Sequence, residues 1–227
     1  MHIDYDHIDS ERTPLGTLSL HEYCAETGES GYEIRIDGEF LMASHGAAGE
    51  MFMARLAYER LPRPRTGLSV LVGGLGAGHT LRAALDLPGV TRVVVAEIGA
   101  KVVEWNRRYF AEVNGYAVDD ARVELEVGEL GALLPRWPKL FDMLLLDVDN
   151  GPGWLAAPGN AGLYQPVGVW ACQAALRAGG VLAIWSPAPN PAFRDTLGRV
   201  FAQVEEIGVA ETVGGDCALA DVVYLGR

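Results

Sequence analysis

Cysteine is scarce in this chain, basic side chains are outnumbered, and long apolar runs do not occur. The three cysteines, Cys24, Cys172 and Cys217, lie far apart and form no CxxC pair. That argues against a zinc site and a disulfide framework, and leaves small buried hydrophobes in a reducing cytoplasm as the expectation. Lys and Arg number 18 against 30 Asp and Glu, a net charge of −12. Such a surface repels a phosphate backbone, so nucleic acid is not an expected partner. It attracts cations such as polyamines, although acidity of this kind also serves solubility alone. No stretch reaches the ~18 apolar residues that a membrane span needs. The first residues, MHIDYDHIDSER, lack the basic start and apolar core of a signal peptide. A cytoplasmic protein without membrane association is expected.

What remains is an ordinary globular composition, 49% hydrophobic and 21% charged, in 227 residues. That length suits one sizeable domain with a small appendage. To about Ser44 the chain looks β-rich: GTLSLHEY and YEIRIDGEFLMAS alternate apolar and polar residues, with Asp37-Gly38 placed as a hairpin turn. AGEMFMARLAYERL has helical spacing through Met51, Ala54, Leu56 and Tyr58, and the prolines of Pro62 to Gly67 end that helix. The expected division is therefore 1–61, a small β-rich region with a linking helix, and 66–227, a Rossmann-like nucleoside-binding catalytic domain.

The second part alternates. Nearly continuous apolar runs predict strands at Leu68–Val72, Arg92–Ala96, Val123–Val127, Met143–Asp147 and Val181–Trp185, as in a parallel sheet covered on both faces. In AKVVEWNRRYFAEV, Val102, Val103, Asn106, Tyr109, Phe110 and Val113 share one helical face. The apolar segments near Val204–Val209 and Leu219–Leu225 are expected to close the sheet as an antiparallel pair.

Gly74, Gly76 and Gly78 form G-x-G-x-G directly between a strand and a helix. Glycines here allow a sharp turn and let the backbone approach a ligand. Nothing resembles a Walker lysine turn, so a nucleoside triphosphate is not favoured. Glu97 ends the next strand, roughly 20 residues on, where an acid hydrogen-bonds the hydroxyls of a ribose. Glu129, after the third strand, is placed either to accept from an adenine amine or to favour a helix start through the dipole. Asp147, Asp149 and Asn150 crowd the carboxyl edge of the fourth strand, where ligands of open α/β sheets sit. They can orient an amine, take its proton or balance a sulfonium charge, or they simply shape the turn before Gly151-Pro152. His79 is a base, or a residue that caps or packs at the helix start; His45 is ambiguous. Trp154, Tyr164 and Trp185 either wall an acceptor pocket or belong to the core.

These residues resemble the spermidine synthase family, the polyamine aminopropyltransferases, whose fold is a methyltransferase-type Rossmann doubly wound α/β sheet with a small N-terminal β-rich subdomain. The family turn G-G-G-D-G-G-T-L-R is similar to Gly74-Leu75-Gly76-Ala77-Gly78-His79-Thr80-Leu81-Arg82, and V-E-I-D is similar to Ala96-Glu97-Ile98-Gly99. The family G-D pair resembles Gly128-Glu129, and ALKPGGVL resembles the start of ALRAGGVLAIWSP. The likeness runs from about Ile36 to the last residue. It implies that Glu97 holds the ribose, that Ile98 lies against the adenine, and that the donor is S-adenosylmethionine or its decarboxylated form. It also implies a polyamine or other amine as partner, a homo-oligomer, and no metal.

Three departures are visible. The family aspartate in the turn, which recognises the donor's amino end, is Ala77 here. The family's catalytic D-S-S-D-P reads Asp147-Val148-Asp149-Asn150-Gly151, so the aspartate that activates the amine is replaced by Asn150, and Asp149 is the substitute base. The segment that lines the family's donor and polyamine pocket reads LMASHGAAGEMFMARLA, with only Glu50 as an acid. Aminopropyl transfer is what the resemblance supports. The substitutions support a methyltransferase acting on a small molecule, or a non-catalytic nucleoside-binding protein. A nicotinamide-dependent oxidoreductase shares the glycine turn and Glu97 but leaves the Asp147–Asn150 cluster without a role.

Overall fold

The computed structural model describes residues 3–13, 16–26, 28–45, 48–148, 151, 158–213 and 216–227. The chain opens with β1 (Ile3–Thr13), β2 (Gly16–Ala25), β3 (Ser30–Ile36) and β4 (Glu39–Ala43), an antiparallel sheet in that order. Leu18 and Leu20 on β2 and Ile34 and Ile36 on β3 are buried, with more exposed residues between them, as the alternation predicts. Asp37 and Gly38 join β3 to β4 with φ of 49° and 87°. Two consecutive positive φ values match the twist of a tight hairpin. β1, polar almost throughout and largely exposed, was not legible from hydrophobic pattern; it is held by pairing to β2.

α1 (Ala48–Arg60) follows and ends just before Pro62. Then come β5 (Leu68–Gly73), α2 (His79–Asp86), β6 (Val90–Glu97), α3 (Ala100–Arg108), β7 (Val123–Val127), α4 (Leu130–Leu133), β8 (Phe141–Leu146), α5 (Pro166–Ala175), β9 (Leu176–Ser186), α6 (Pro191–Gly198), β10 (Val204–Val213) and β11 (Asp216–Gly226). These strands form one sheet ordered β10-β11-β9-β8-β5-β6-β7. β7, β6, β5, β8 and β9 are parallel, and β11 and β10 complete the edge antiparallel. All five predicted strands and the terminal antiparallel pair are present.

The sheet's two faces separate by residue parity. Val70, Val72, Val93, Val95, Met143 and Leu145 pack in one core together with α1, α2, α3 and the apolar side of β2 and β3. Leu71, Val94, Leu144, Leu146 and Ile184 pack in the other, with residues of α4, α5 and α6. Burial on both faces is why these strands read as unbroken apolar runs.

Three expectations need correction. The buried stripe of α1 is Met53, Ala54, Leu56 and Ala57, while Met51 is exposed. Met51, Phe52 and Met53 are consecutive, so periodicity alone could not choose the phase of the stripe that faces α2 and the sheet. α3 stops at Arg108, after which the chain turns to bury Phe110 and leaves Val113 exposed; Trp105 takes the core position instead. Cys24 is exposed on β2, whereas Cys172 is buried on α5. The side chain of Cys217 lies outside the described residues.

Candidate active site

β5 is the strand from which the order departs in both directions, to β6 and β7 on one side and to β8 and β9 on the other. Loops diverge at such a point and leave a crevice at the carboxyl ends of the strands. The glycine turn fills the floor of that crevice. Gly74, Gly76 and Gly78 have φ of 84°, 55° and 89°, which side-chain-bearing residues rarely adopt. A β-carbon on Gly74 would meet the Asp147 carbonyl oxygen, and one on Gly78 would sit 2.6 Å from Asn114 Nδ2.

Polar groups that sequence reasoning gave no role fix the turn. Asn106 Nδ2 donates to the Gly76 carbonyl at 2.7 Å, and Asn114 Nδ2 donates to the Ala77 carbonyl at 3.1 Å and to Asn106 Oδ1 at 2.9 Å. Both asparagines are buried. An Asn on an otherwise apolar helix face was the available signal for Asn106; Asn114 had none.

Glu97, at the end of β6, is buried, and both carboxylate oxygens face backbone amides. Oε2 accepts from Leu75 N at 2.8 Å and Oε1 from Gly99 N at 2.8 Å. Burial pushes its pKa up, and the amides pull against that shift. Asp147, just past β8, is half-buried and accepts from Thr80 Oγ1 at 3.0 Å. Burial, with a contribution from the negative charge of Asp221, raises it to about 6 despite the Thr80 bond.

A cavity of about 270 Å³ lies over these groups. Gly74, Gly76, Ala77 and His79 form its floor; Glu97, Ile98, Gly128 and Glu129 line the β6–β7 side; Asp147, Val148 and Trp185 line the other. Phe40 to Ala43 of β4, with His45, cover it from the N-terminal sheet. Leu41, Met42, Ala43 and His45 belong to the segment LMASHGAAGEMFMARLA that the resemblance matched to the family's pocket lining, whereas Phe40, one residue before it, carried no such signal. Glu129 is exposed and makes no side-chain cap to α4, so its dipole role is at most a through-space one. Trp185 donates from Nε1 to Asp221 Oδ2 at 3.2 Å. Tyr164 instead is buried in the other core and donates to the Val148 carbonyl at 2.7 Å, propping the chain after β8. His45 bonds Tyr23 Oη through Nδ1 at 2.6 Å. His79 makes no cap to α2, whose N-cap is Gly78. Asp149, Asn150, Trp154 and the Glu50 side chain lie outside the described residues.

Among the described residues no three His, Cys, Asp or Glu side chains converge as a metal site, and no helix is long and apolar enough to cross a membrane.

The model of the spermine/spermidine synthase domain matches residues 50–191. Polyamine aminopropyltransferase 2 of Pseudomonas aeruginosa is 34% identical over 146 residues, 60% of this chain and 40% of that protein. The polyamine aminopropyltransferase of Nitrosomonas europaea is 28% identical over 209 residues, 91% of this chain and 57% of that protein. This chain thus spans only about half the length of these relatives. The fold is that of a spermidine synthase solved in complex with the transition-state analogue AdoDATO, with a TM-score of 0.78 at 18% identity, covering 97% of this chain and 73% of that one. With the family model matched over more than half of its residues, the chain belongs to the spermine/spermidine synthase family.

Proposed function

We propose that the cavity binds the adenosine of an S-adenosyl sulfonium donor and that the protein transfers the donor's aminopropyl group to an amine. The observation that carries this reading is Glu97. A carboxylate has about four lone-pair sites. The amides of Leu75 and Gly99, with that of Ile98 beside them, fix the side chain at the cavity wall, and its remaining acceptor capacity serves the ribose hydroxyls. Ile98, apolar and 36% exposed at that wall, offers a surface for the adenine, and Glu129 an acceptor for its amine. The backbone of Gly74, Gly76 and Gly78 can approach the donor without a β-carbon in the way.

In the reaction the amine nitrogen attacks the carbon next to the sulfonium. A C–N bond forms, the C–S bond breaks, and methylthioadenosine leaves as a neutral thioether. The amine's proton passes to a carboxylate. Asp147 orients the amine or the donor, and Asp149 is the base, with Asn150 at the position of the family aspartate. Such a step asks the protein mainly for in-line positioning. The resemblance brings with it decarboxylated S-adenosylmethionine as donor, a polyamine or other amine as acceptor, a homo-oligomer and the cytoplasm. The division into a region 1–61 and a domain 66–227 belongs to the same reading.

A second reading, methyl transfer from S-adenosylmethionine to a small molecule, is favoured by Ala77, which lines the cavity without the family's carboxylate. A thermal-shift panel of both donors, S-adenosylhomocysteine, methylthioadenosine and NAD tests the readings together, because a ligand of the native state alone raises the melting point. Aminopropyl transfer requires a shift with the decarboxylated donor, none with NAD, and methylthioadenosine release on adding a diamine. S-adenosylhomocysteine release would mean methyl transfer, and no turnover with any amine would mean a binding protein. No shift with any adenosine compound would overturn all three.

A further inference from the structure

Tyr23 and His45 form a pair that the reaction above leaves without a role. Tyr23 on β2 is buried, and its cross-strand partner on β3 is Gly31. A β-carbon at position 31 would lie 2.7 Å from Tyr23 Oη, so only glycine lets the phenol cross β3. Beyond it Oη meets His45 Nδ1 at 2.6 Å, and the two rings pack edge to face with centroids 5.3 Å apart. A ring held by its neighbour and through one nitrogen has a fixed direction. The second nitrogen, Nε2, has no hydrogen-bond partner among the described residues, and the His45 side chain is exposed where it lines the cavity.

His45 stands toward the Asp147 side of that cavity. Four residues on, Gly49 is buried against Trp185, where an added β-carbon would lie 2.7 Å from Nε1. Four residues span at most about 14 Å, which ties His45 to the Trp185 wall. The charged side chains lining the cavity are Glu97, Glu129 and Asp147, all acidic, with no Lys or Arg among the described residues. Such a lining draws a cation, and an ammonium donates hydrogen bonds without accepting any. Tyr23 suits that partner. Its hydroxyl donates to Nδ1 in one tautomer and accepts from it in the other, so the pair stays bonded while Nε2 presents a lone pair.

We propose that His45 Nε2, aimed by Tyr23, accepts an N–H from the acceptor amine and fixes the direction of its attack. Once it has lost a proton, a primary amine keeps two N–H groups and one lone pair. Asp147 takes one N–H and His45 the other, which leaves the lone pair a single direction, toward the donor's carbon. This rests on the adenosine reading above, which fills the Glu97 side of the cavity and leaves the Asp147 side to the acceptor.

Titration calorimetry on wild type, His45→Leu, His45→Gln, Tyr23→Phe and the double variant Tyr23→Phe/His45→Leu tests it. Methylthioadenosine, an adenosine ligand without an amine tail, should bind all five alike. Putrescine added to the methylthioadenosine complex should bind His45→Leu roughly tenfold more weakly, the loss of one hydrogen bond to a charged group. Binding should recover in His45→Gln, which restores an acceptor oxygen. Tyr23→Phe should weaken putrescine only where His45 is present, so the double variant should bind as His45→Leu does; a residue acting through its neighbour gives that coupling. Putrescine binding His45→Leu as it binds wild type, or not binding wild type at all, would overturn the proposal and leave the adenosine reading intact. Additive losses in the double variant would overturn the aiming by Tyr23. Failure of methylthioadenosine to bind wild type would overturn both the proposal and the adenosine reading. Should a variant not fold, the ring-nitrogen resonances of wild-type His45 decide. The Nε2 signal must move on adding putrescine to the methylthioadenosine complex, and an unmoved signal refutes the contact.

Discussion

The Thr80 hydroxyl donates to Asp147 Oδ2 at 3.0 Å, tying the first turn of α2 to the end of β8. Two segments 67 residues apart thereby place one carboxyl group at the cavity edge. The tie does not offset the desolvation of that carboxyl, which is raised from 3.8 to about 6. A carboxyl raised on folding favours the native state when protonated. Its contribution is complete below about pH 4 and is lost as pH rises through 6. Asp147→Asn, which keeps the acceptor for Thr80, should therefore be more stable than wild type at pH 8. Two pKa units correspond to at most about 3 kcal/mol, nearer 2 for a side chain that keeps some solvent contact. Melting curves from pH 4 to 8 should show the advantage shrink toward the acid end while turnover is lost at every pH. A stability difference that does not vary with pH would contradict the assignment.

Gly78→Ala should be among the more damaging single changes in the turn. Its β-carbon would lie 2.6 Å from Asn114 Nδ2 and 2.9 Å from Asn106 Oδ1, at a φ of 89°. The two asparagines hold the Gly76 and Ala77 carbonyls, so the substitution adds backbone strain and breaks buried hydrogen bonds. A loss of about 2–4 kcal/mol is expected. Gly28→Ala is the control: its φ is 85°, but no described atom lies within 4 Å of the added carbon. Strain alone costs about 1 kcal/mol. Urea denaturation of the two variants separates the contributions, and equal losses would mean that the asparagine network does not bear on the turn.

The glycine turn and Glu97 were legible because chemistry and position coincide there: three glycines must follow a strand, and the acid must end the next. The strands flanking them were legible because burial on both faces writes itself as an apolar run. β1 was not, since its exposed residues IDYDHIDSERT carry no alternation of polarity, and only its partner β2 gives it shape. Asp221 was hidden for another reason. It comes to Trp185 and to the field of Asp147 from the antiparallel strand β11, a juxtaposition set by strand order rather than by spacing in sequence.

Thiol chemistry checks the corrected burial of the cysteines. Cys24 is exposed, whereas Cys172 is buried and its thiol is pushed up to about 12. Only the thiolate alkylates readily, and only where the reagent can reach it. Iodoacetamide on the native protein at pH 8 should modify Cys24 and spare Cys172, which should react once denaturant is added. Peptide mass spectrometry reads both sites. Early labelling of Cys172 would mean that α5 opens far more easily than its packing implies.

Glu97→Gln separates the stability of the turn from its use. The amide nitrogen of glutamine would face the N–H of Leu75 or of Gly99, donor against donor, at a cost of about 1–3 kcal/mol. Against this, the neutral amide avoids the desolvation that pushes the native carboxyl's pKa up. The two effects oppose, so the melting point should move little. Binding has no such compensation, because both ribose hydroxyls need acceptors and one of the two oxygens is gone. Methylthioadenosine affinity should fall by roughly tenfold or more, the loss of a hydrogen bond to a charged group. The wild-type protein should lose affinity in the same way when acidified through the raised pKa of Glu97, while the variant's weaker binding stays level over that range. Calorimetry of both proteins across pH measures this directly. Unchanged affinity in Glu97→Gln would leave the carboxylate a structural clamp on the turn and remove the ribose from this wall of the cavity.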